Sequence, residues 1–265
     1  MKSAEVSVLV GSCDKYADLL PPFLTLFRKF WPDCPYEIVL VTESDPHLPF
    51  DRTIACGSGK NWASRLVEAL DAVDTPYVLM LCDDYYLEAP VDTALIESRL
   101  EEMKRARAVN LRMIPNPRPT ENNSVEFSSD LRSYRIGAAY SVATQAGLWD
   151  RGFLKHLATG KTSIWDFERL GSFEKRDERF PLLVTKKKEF PFIDAVHKGY
   201  WEKAGVRVLR ENAIEYDFRS RSTPPAAIWM KEALKVAVFA VVPTNWIVRV
   251  QNRFGLGAQE RKNMV

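Results

Sequence analysis

The first hundred residues alternate between short apolar runs and longer segments in which apolar side chains return every three or four positions. Residues 6–10, 37–42 and 77–82 are near-continuous apolar runs of strand length, each followed by polar turn residues. They predict strands buried on both faces. Between them Phe23, Leu26, Phe27 and Phe30 recur at helical spacing behind Pro21 and Pro22, and Trp31-Pro32 ends the period. Residues 61–74 repeat the pattern through Trp62, Leu66, Leu70 and Val73, and residues 92–107 through Ile96, Leu100 and Met103. Strands interleaved with helices predict an α/β fold with a mostly parallel central sheet flanked by helices.

A further strand is expected over 108–113, then a Pro- and Asn-rich loop over 115–124, mobile and at the rim of a cleft. Beyond it the periodicity loosens. Short strands over 131–136 and 138–142 and helices over 147–157 and 164–175 are the expected elements. The last forty residues differ in character. An apolar run over 228–242 is broken by Pro243 and resumes over 245–254, with six Lys/Arg against two acidic residues from Ala226 onward, beside Trp229 and Trp246. Such helices suit an interfacial membrane contact through 226–254. They equally suit docking on the core or burial in a homodimer.

Composition refines this picture in three ways. The 265 residues, 46% hydrophobic, fit one large domain with an appendage. The expected division is a domain over 1–222, with halves 1–112 and 113–222, and a basic amphipathic helical extension over 223–265. Cys13, Cys34, Cys56 and Cys82 lack metal-ligand spacing and read as reduced thiols. With no signal-like apolar core at residues 1–5 and no 18-residue apolar stretch, they predict a cytoplasmic protein, at the inner face of the membrane if the tail meets lipid. The net charge of +2 hides an asymmetry: residues 1–100 carry 8 Lys/Arg against 16 Asp/Glu, and the rest 29 against 19. An acidic half that could hold a cation accompanies a basic half that could meet anionic groups. The basic residues form no nucleic-acid-binding module, and nucleic acid is not an expected partner.

Candidate chemistry starts at the run 77–82, which delivers Asp83 and Asp84 to its carboxyl end. Two hard oxygen donors there suit Mg²⁺ or Mn²⁺ bridging the phosphates of a nucleotide, although Asp-rich turns are also common without ligands. Lys60 and Arg65 are candidate phosphate contacts, or surface cations at a helix start. Asp14 and Lys15 after the first strand, and Thr42 and Glu43 after the second, are candidate nucleoside contacts, or acids capping helices. No GxxxxGK[ST], HExxH, GxSxG or GxGxxG motif occurs.

The order of these residues carries a resemblance. A strand followed by Gly11-Ser12-Cys13-Asp14-Lys15, a strand ending in Thr42-Glu43, then Lys60-Asn61-Trp62 with Arg65, then a strand ending in Asp83-Asp84 resembles the nucleotide-sugar-binding half of GT-A-fold glycosyltransferases. The bacterial enzymes that build surface polysaccharides are the nearest type. The similarity is good over residues 5–90, patchy over 130–205 and absent in the tail. It implies a GT-A-like, Rossmann-like sheet, with Ser12, Asp14, Lys15, Thr42, Glu43, Lys60, Asn61, Arg65, Asp83 and Lys198 on the donor, and Asp83 and Asp84 on the metal diphosphate. The motif reads Cys82-Asp83-Asp84 instead of Asp-x-Asp. A late histidine often completes the metal site in that fold, and His197, beside Lys198, matches its position.

The resemblance also places a general base on a helix near the acceptor. Asp166 and Glu168 are the candidates, with Trp149 and Trp165 offering apolar faces to a sugar ring. Two carboxylates two residues apart on a helix point about 200° apart, so one pocket takes only one of them. If Asp166 falls at the helix cap, the base is Glu168. The expected activity is metal-dependent, inverting transfer of a sugar from a nucleotide-diphosphate donor to a glycan or lipid-linked acceptor. A sugar nucleotidyltransferase and a non-catalytic, membrane-associated partner protein are the alternatives.

Overall fold

The computed structural model describes residues 5–217 and 221–222. The chain divides into two compact units, Met1–Ile193 and Asp194–Val265. The tail expected to be helical over 223–265 lies outside the described residues.

The first unit is built on a nine-stranded sheet. In chain order its elements are β1 (Val6–Gly11), a 3-10 turn (Asp14–Leu19), α1 (Leu20–Phe30), β2 (Glu37–Thr42), β3 (Arg52–Ala55), α2 (Trp62–Ala72), β4 (Tyr77–Cys82), β5 (Tyr85–Leu87) and α3 (Thr93–Arg105). Then come β6 (Asn110–Arg112), β7 (Ser124–Glu126), β8 (Leu131–Tyr134), β9 (Gly147–Asp150), α4 (Arg151–Ala158), α5 (Ile164–Gly171), β10 (Leu182–Thr185) and β11 (Phe192–Asp194). The sheet order is β3-β2-β1-β4-β9-β6-β10-β8-β7. Strands β1 to β4 run parallel, β9 runs antiparallel between β4 and β6, and β8 opposes β10 and β7. This is the mostly parallel, GT-A-like α/β sheet expected from the sequence.

The apolar runs take the places their composition dictates. Strands β1, β2 and β4 are each paired on both sides and are buried almost end to end, so neither face needs polar residues. Helix α1 starts with prolines at its first turn, where the missing N–H groups have no helical partner to lose. Its aromatic face continues into Trp31, which meets Phe27, Tyr36 and Phe190. Asn61, Asp92, Asp150 and Ser163 each accept a backbone N–H at the start of α2, α3, α4 and α5.

Two expectations are corrected, and one strand was not foreseen. Residues 147–150 form β9, not the start of a helix. Asp150 caps α4 one residue later, and a Cβ on Gly147 would lie 2.9 Å from the Leu111 carbonyl oxygen, a crowding that belongs to strand packing. Residues 138–142 form no strand but a buried series of turns, in which Tyr140 takes a left-handed φ of 56°. The edge strand β3 was not foreseen, because four mostly half-exposed residues give little apolar signal. The 115–124 loop is fastened from below, by Tyr134 donating to the Pro117 carbonyl at 2.6 Å and Arg112 to the Asn116 carbonyl at 2.6 Å.

In the second unit, β12 (Val196–His197) and β13 (Tyr200–Trp201) form a hairpin, followed by α6 (Lys203–Glu211). Gly205 lies so close to Ala195 that a Cβ would fall 2.6 Å from its carbonyl oxygen. Trp201 packs edge-on against Tyr216.

Candidate active site

Strand order reverses direction at β1, whose neighbours are β2 on one side and β4 on the other. In open α/β sheets such a point leaves a crevice beyond the carboxyl ends of the strands. The backbone closes it tightly here: the Ser12 amide donates to the Val41 carbonyl at 2.8 Å and the Asp83 amide to the Gly11 carbonyl at 3.2 Å. These bonds bring the first loop and the Asp83-Asp84 pair together. The Ser12 hydroxyl donates to Asp83 Oδ2 at 2.5 Å, a short charge-assisted bond. Asp83 is buried by this contact, while Asp84 stays half-exposed.

An open cleft of about 320 Å³, counting its space toward solvent, lies beside this point. Gly11, Ser12, Val41, Trp62 and Arg65 are among its walls. Arg65 is buried and donates to Glu43 Oε1 at 2.7 Å and to the Lys60 carbonyl at 2.9 Å. The other Glu43 oxygen accepts the Asp14 amide at 3.0 Å, and Asp14 accepts both the amide and the hydroxyl of Ser44. Ser12 with Asp83, and Asp14 with Glu43 and Arg65, thus form two bonded polar groups past the strand ends. Thr42 is sealed in the strand end, and Lys15 is exposed on the 3-10 turn. Lys60 pairs with Glu68 on α2, and the Asn61 side chain is occupied as the α2 cap, accepting the Ser64 amide at 2.9 Å.

Among the described residues no three His, Cys, Asp or Glu side chains come together as a ligand set. Two adjacent carboxylates at a cleft nonetheless fit a hard cation that completes its shell with substrate phosphate oxygens and water, as Mg²⁺ usually does. They do not fit a cation caged by protein alone.

Helix α5 packs behind one wall of the cleft. Trp62, a wall of the cleft, packs on Phe167 with ring centres 5.4 Å apart, and Phe167 packs on Trp149 at 6.0 Å. This stack sets α5 against the sheet and settles which acid is available. Asp166 lies in the first turn, its amide bonded to the Ser163 cap, and its carboxylate holds the Thr162 hydroxyl at 2.6 Å and Arg169 at 3.4 Å. Glu168 is anchored by one oxygen only: Oε1 accepts the amide and the hydroxyl of Thr144, both at 2.8 Å. No described group donates to its Oε2. Burial raises the Glu168 pKa above the ordinary carboxylate range, and the Thr144 bonds and the Arg112 charge pull down without overcoming it.

Burial pushes the Cys82 pKa well up, and the carboxylates of Asp84, Asp83 and Glu168 push it further. The Cys13 thiol is likewise raised, by burial and then by Asp83 and Glu43. Thiols held in that direction are poor nucleophiles, so the chemistry here belongs to the oxygens.

Two expected acceptor contacts separate. Trp165 is 51% exposed and lies three residues from Glu168, a neighbouring position on the helix surface. Trp149 is 0% exposed, because it sits on β9 under α5, and it has no face to offer a sugar. His197 and Lys198 belong to the second unit, at the tip of the β12–β13 hairpin. Lys198 and Gly199 have φ of 53° and 81°, the two left-handed residues of a type I′ turn, so the Lys-Gly pair has a backbone explanation. Sequence reasoning missed Thr144, which holds Glu168, and Arg112, which holds the turn before it; neither stands in a motif.

No family model matches the chain, and no curated protein matches its sequence. Among solved structures, a mannosyltransferase from Pyrobaculum calidifontis in complex with GDP-Man and Mn²⁺ aligns with 99% of this chain and 84% of its own at 12% identity, with a TM-score of 0.47. TarS 1-349 from S. aureus aligns with 71% of this chain at 13% identity and a TM-score of 0.44. A cytidylyltransferase from Leptospira borgpetersenii aligns with 80% of this chain and 96% of its own at 11% identity and a TM-score of 0.41. The chain spans 59% of the length of that TarS fragment.

Proposed function

We propose that the chain is a glycosyltransferase that moves a sugar from a nucleotide-diphosphate donor, with the help of Mg²⁺ or Mn²⁺, to a glycan or lipid-linked acceptor of the cell surface. One observation carries the reading: at the point where strand order reverses, the Ser12 hydroxyl past β1 donates to Asp83 Oδ2 past β4 at 2.5 Å, which joins the first loop and the paired carboxylates beside the cleft.

The roles follow from the chemistry each group can do. Departure of a nucleoside diphosphate builds negative charge that a cation held by Asp84, with Asp83, would stabilise. Ser12 orients Asp83 by its short bond, and the Arg65–Glu43 pair shapes the wall where the nucleoside would lie. Glu168 Oε2 takes the proton of the attacking acceptor hydroxyl while Thr144 holds Oε1. A raised pKa suits that exchange, because a base near the working pH both accepts and releases a proton readily. Trp165 gives the acceptor ring an apolar face beside the base. A base opposite the leaving group implies inversion at the anomeric carbon.

The test is thermal stability against a panel of nucleoside diphosphates and diphospho-sugars, with and without Mn²⁺, followed by assay of sugar transfer and of pyrophosphate release. One nucleotide raising the melting temperature only with Mn²⁺, and sugar transfer without pyrophosphate from a triphosphate, is the expected result. Pyrophosphate formation from a nucleoside triphosphate and a sugar phosphate would assign the site to nucleotidyl transfer instead.

A further inference from the structure

Arg112 is 0% exposed, yet among the described residues no carboxylate pairs with it. Its guanidinium donates to the carbonyls of Asn116 at 2.6 Å, Ser141 at 2.6 Å and Tyr140 at 3.1 Å, and lies 5.2 Å from the Tyr134 ring centre. Nε has no partner. Guanidinium does not lose its proton in a protein, so a full positive charge stands in the interior on neutral acceptors alone. Such an arrangement is costly, and a net use for the charge is the natural explanation.

The carbonyls it grips identify that use. Tyr140, held at a strained left-handed φ of 56°, and Ser141 belong to the turn that ends at Thr144, whose amide and hydroxyl both hold Glu168. The same turn is stapled to α5 a second time. The Val142 amide donates to the Ser172 hydroxyl at 3.1 Å, which donates to the Glu168 carbonyl at 2.6 Å. Arg112, the 140–144 turn and Glu168 thus form one connected unit.

We propose that Arg112 is a positioning residue for Glu168: it clamps the 140–144 turn that presents Thr144 to the carboxylate. The inference rests on the reading of Glu168 as the base. The groups facing Glu168 are Arg112 from β6, Thr144 from the turn and the Cys82 thiol from β4, with Asp83 and Asp84 following that strand. On its own helix Asp166 and Arg169 are engaged with each other.

The experiment compares Arg112→Gln and Arg112→Lys with the unaltered chain. The titration midpoint of the Glu168 carboxyl is read by carbon NMR and assigned by Glu168→Gln, alongside kcat, KM and the pH profile of transfer. Arg112→Gln, which loses the carbonyl fork, is expected to loosen the Thr144 bonds to Glu168, lowering kcat about tenfold at unchanged donor KM and moving the Glu168 midpoint and the acid limb of the rate profile to higher pH. Arg112→Lys, which keeps the charge but not the three-carbonyl fork, is expected to show a fall in kcat and a midpoint shift in the same direction. A folded Arg112→Gln with an unmoved midpoint overturns the proposal. Should Arg112→Gln not fold, an Arg112→Lys chain with unchanged kcat overturns it. A midpoint that moves in a protein showing no sugar transfer with any donor keeps the Arg112–Glu168 coupling and refutes the base assignment, so the two failures are distinguishable.

Discussion

The two sides of the cleft are built in opposite ways. On the donor side, Ser12, Asp83 and Glu43 stand at or just past the ends of β1, β4 and β2, where a parallel sheet places polar residues by its own geometry. On the acceptor side, Glu168 stands on a two-turn helix and is held by a buried turn with no regular structure, itself held by a lone buried arginine. The first design needs only correct strands. The second needs many particular side chains to be correct at once, which makes it the easier side to break without touching the other.

The largest separation is expected from the carboxylates. Asp84→Asn should abolish the Mn²⁺-dependent thermal shift with nucleotide and lower transfer about 10³-fold, the scale for losing a charge stabiliser in the transition state. Its own melting temperature should hardly change, because a half-exposed loop carboxylate carries little packing. A large loss of stability with donor binding spared would remove Asp84 from the metal site.

Glu168→Gln should do the reverse. The amide oxygen can still accept both Thr144 bonds, so the turn stays in place, while the group can no longer take a proton. Transfer is expected to fall about 10²-fold or more with the nucleotide-dependent shift intact. Should both be lost together, the donor and acceptor sides are not separable as drawn here.

A smaller effect sharpens the structural half of the contrast. Gly147→Ala places a methyl group 2.9 Å from the Leu111 carbonyl oxygen and 3.1 Å from the Arg112 Cα, backbone atoms that cannot step aside cheaply. Overpacking of that kind costs about 1–3 kcal/mol, measurable as a lowered urea midpoint. Because β6 carries Arg112, transfer should fall more than donor binding does.

The same asymmetry governs what could be read from residues alone. The central strands, α1, α2 and the Asp83-Asp84 pair were legible because continuous apolar runs and helical periods report burial directly. Trp149 was misplaced because a Gly-Leu-Trp-Asp stretch next to a helix looks helical until the neighbouring strands are known. The turn over 138–144 was taken in part for a strand, since its Ala, Tyr, Ser and Val residues are apolar enough to be buried. Only the carbonyls turned toward Arg112 explain why it is not one. Asp166 and Glu168 could not be ranked until Ser163 was seen as the cap, which engages Asp166 in the first turn and leaves Glu168 on the inner face.

The smallest predicted effect tests the acceptor side without any substrate. The folded-state pKa of Glu168 is raised by burial, whereas the unfolded chain titrates near the ordinary glutamate value of about 4.3. Between those two values the folded protein binds more protons than the unfolded one, so stability must fall as pH rises through the window. Above the folded pKa the penalty stays constant; below the unfolded value it is absent. Glu168→Gln cannot ionise and escapes it. The variant should therefore melt above the unaltered chain at pH 7.5, with the gap closing toward pH 4. A gap of the same size at both pH values would trace the gain to packing. A variant less stable at pH 7.5 would mean that Thr144 and Arg112 stabilise the carboxylate more than burial penalises it, leaving Glu168 an ordinary acid with no raised affinity for a proton.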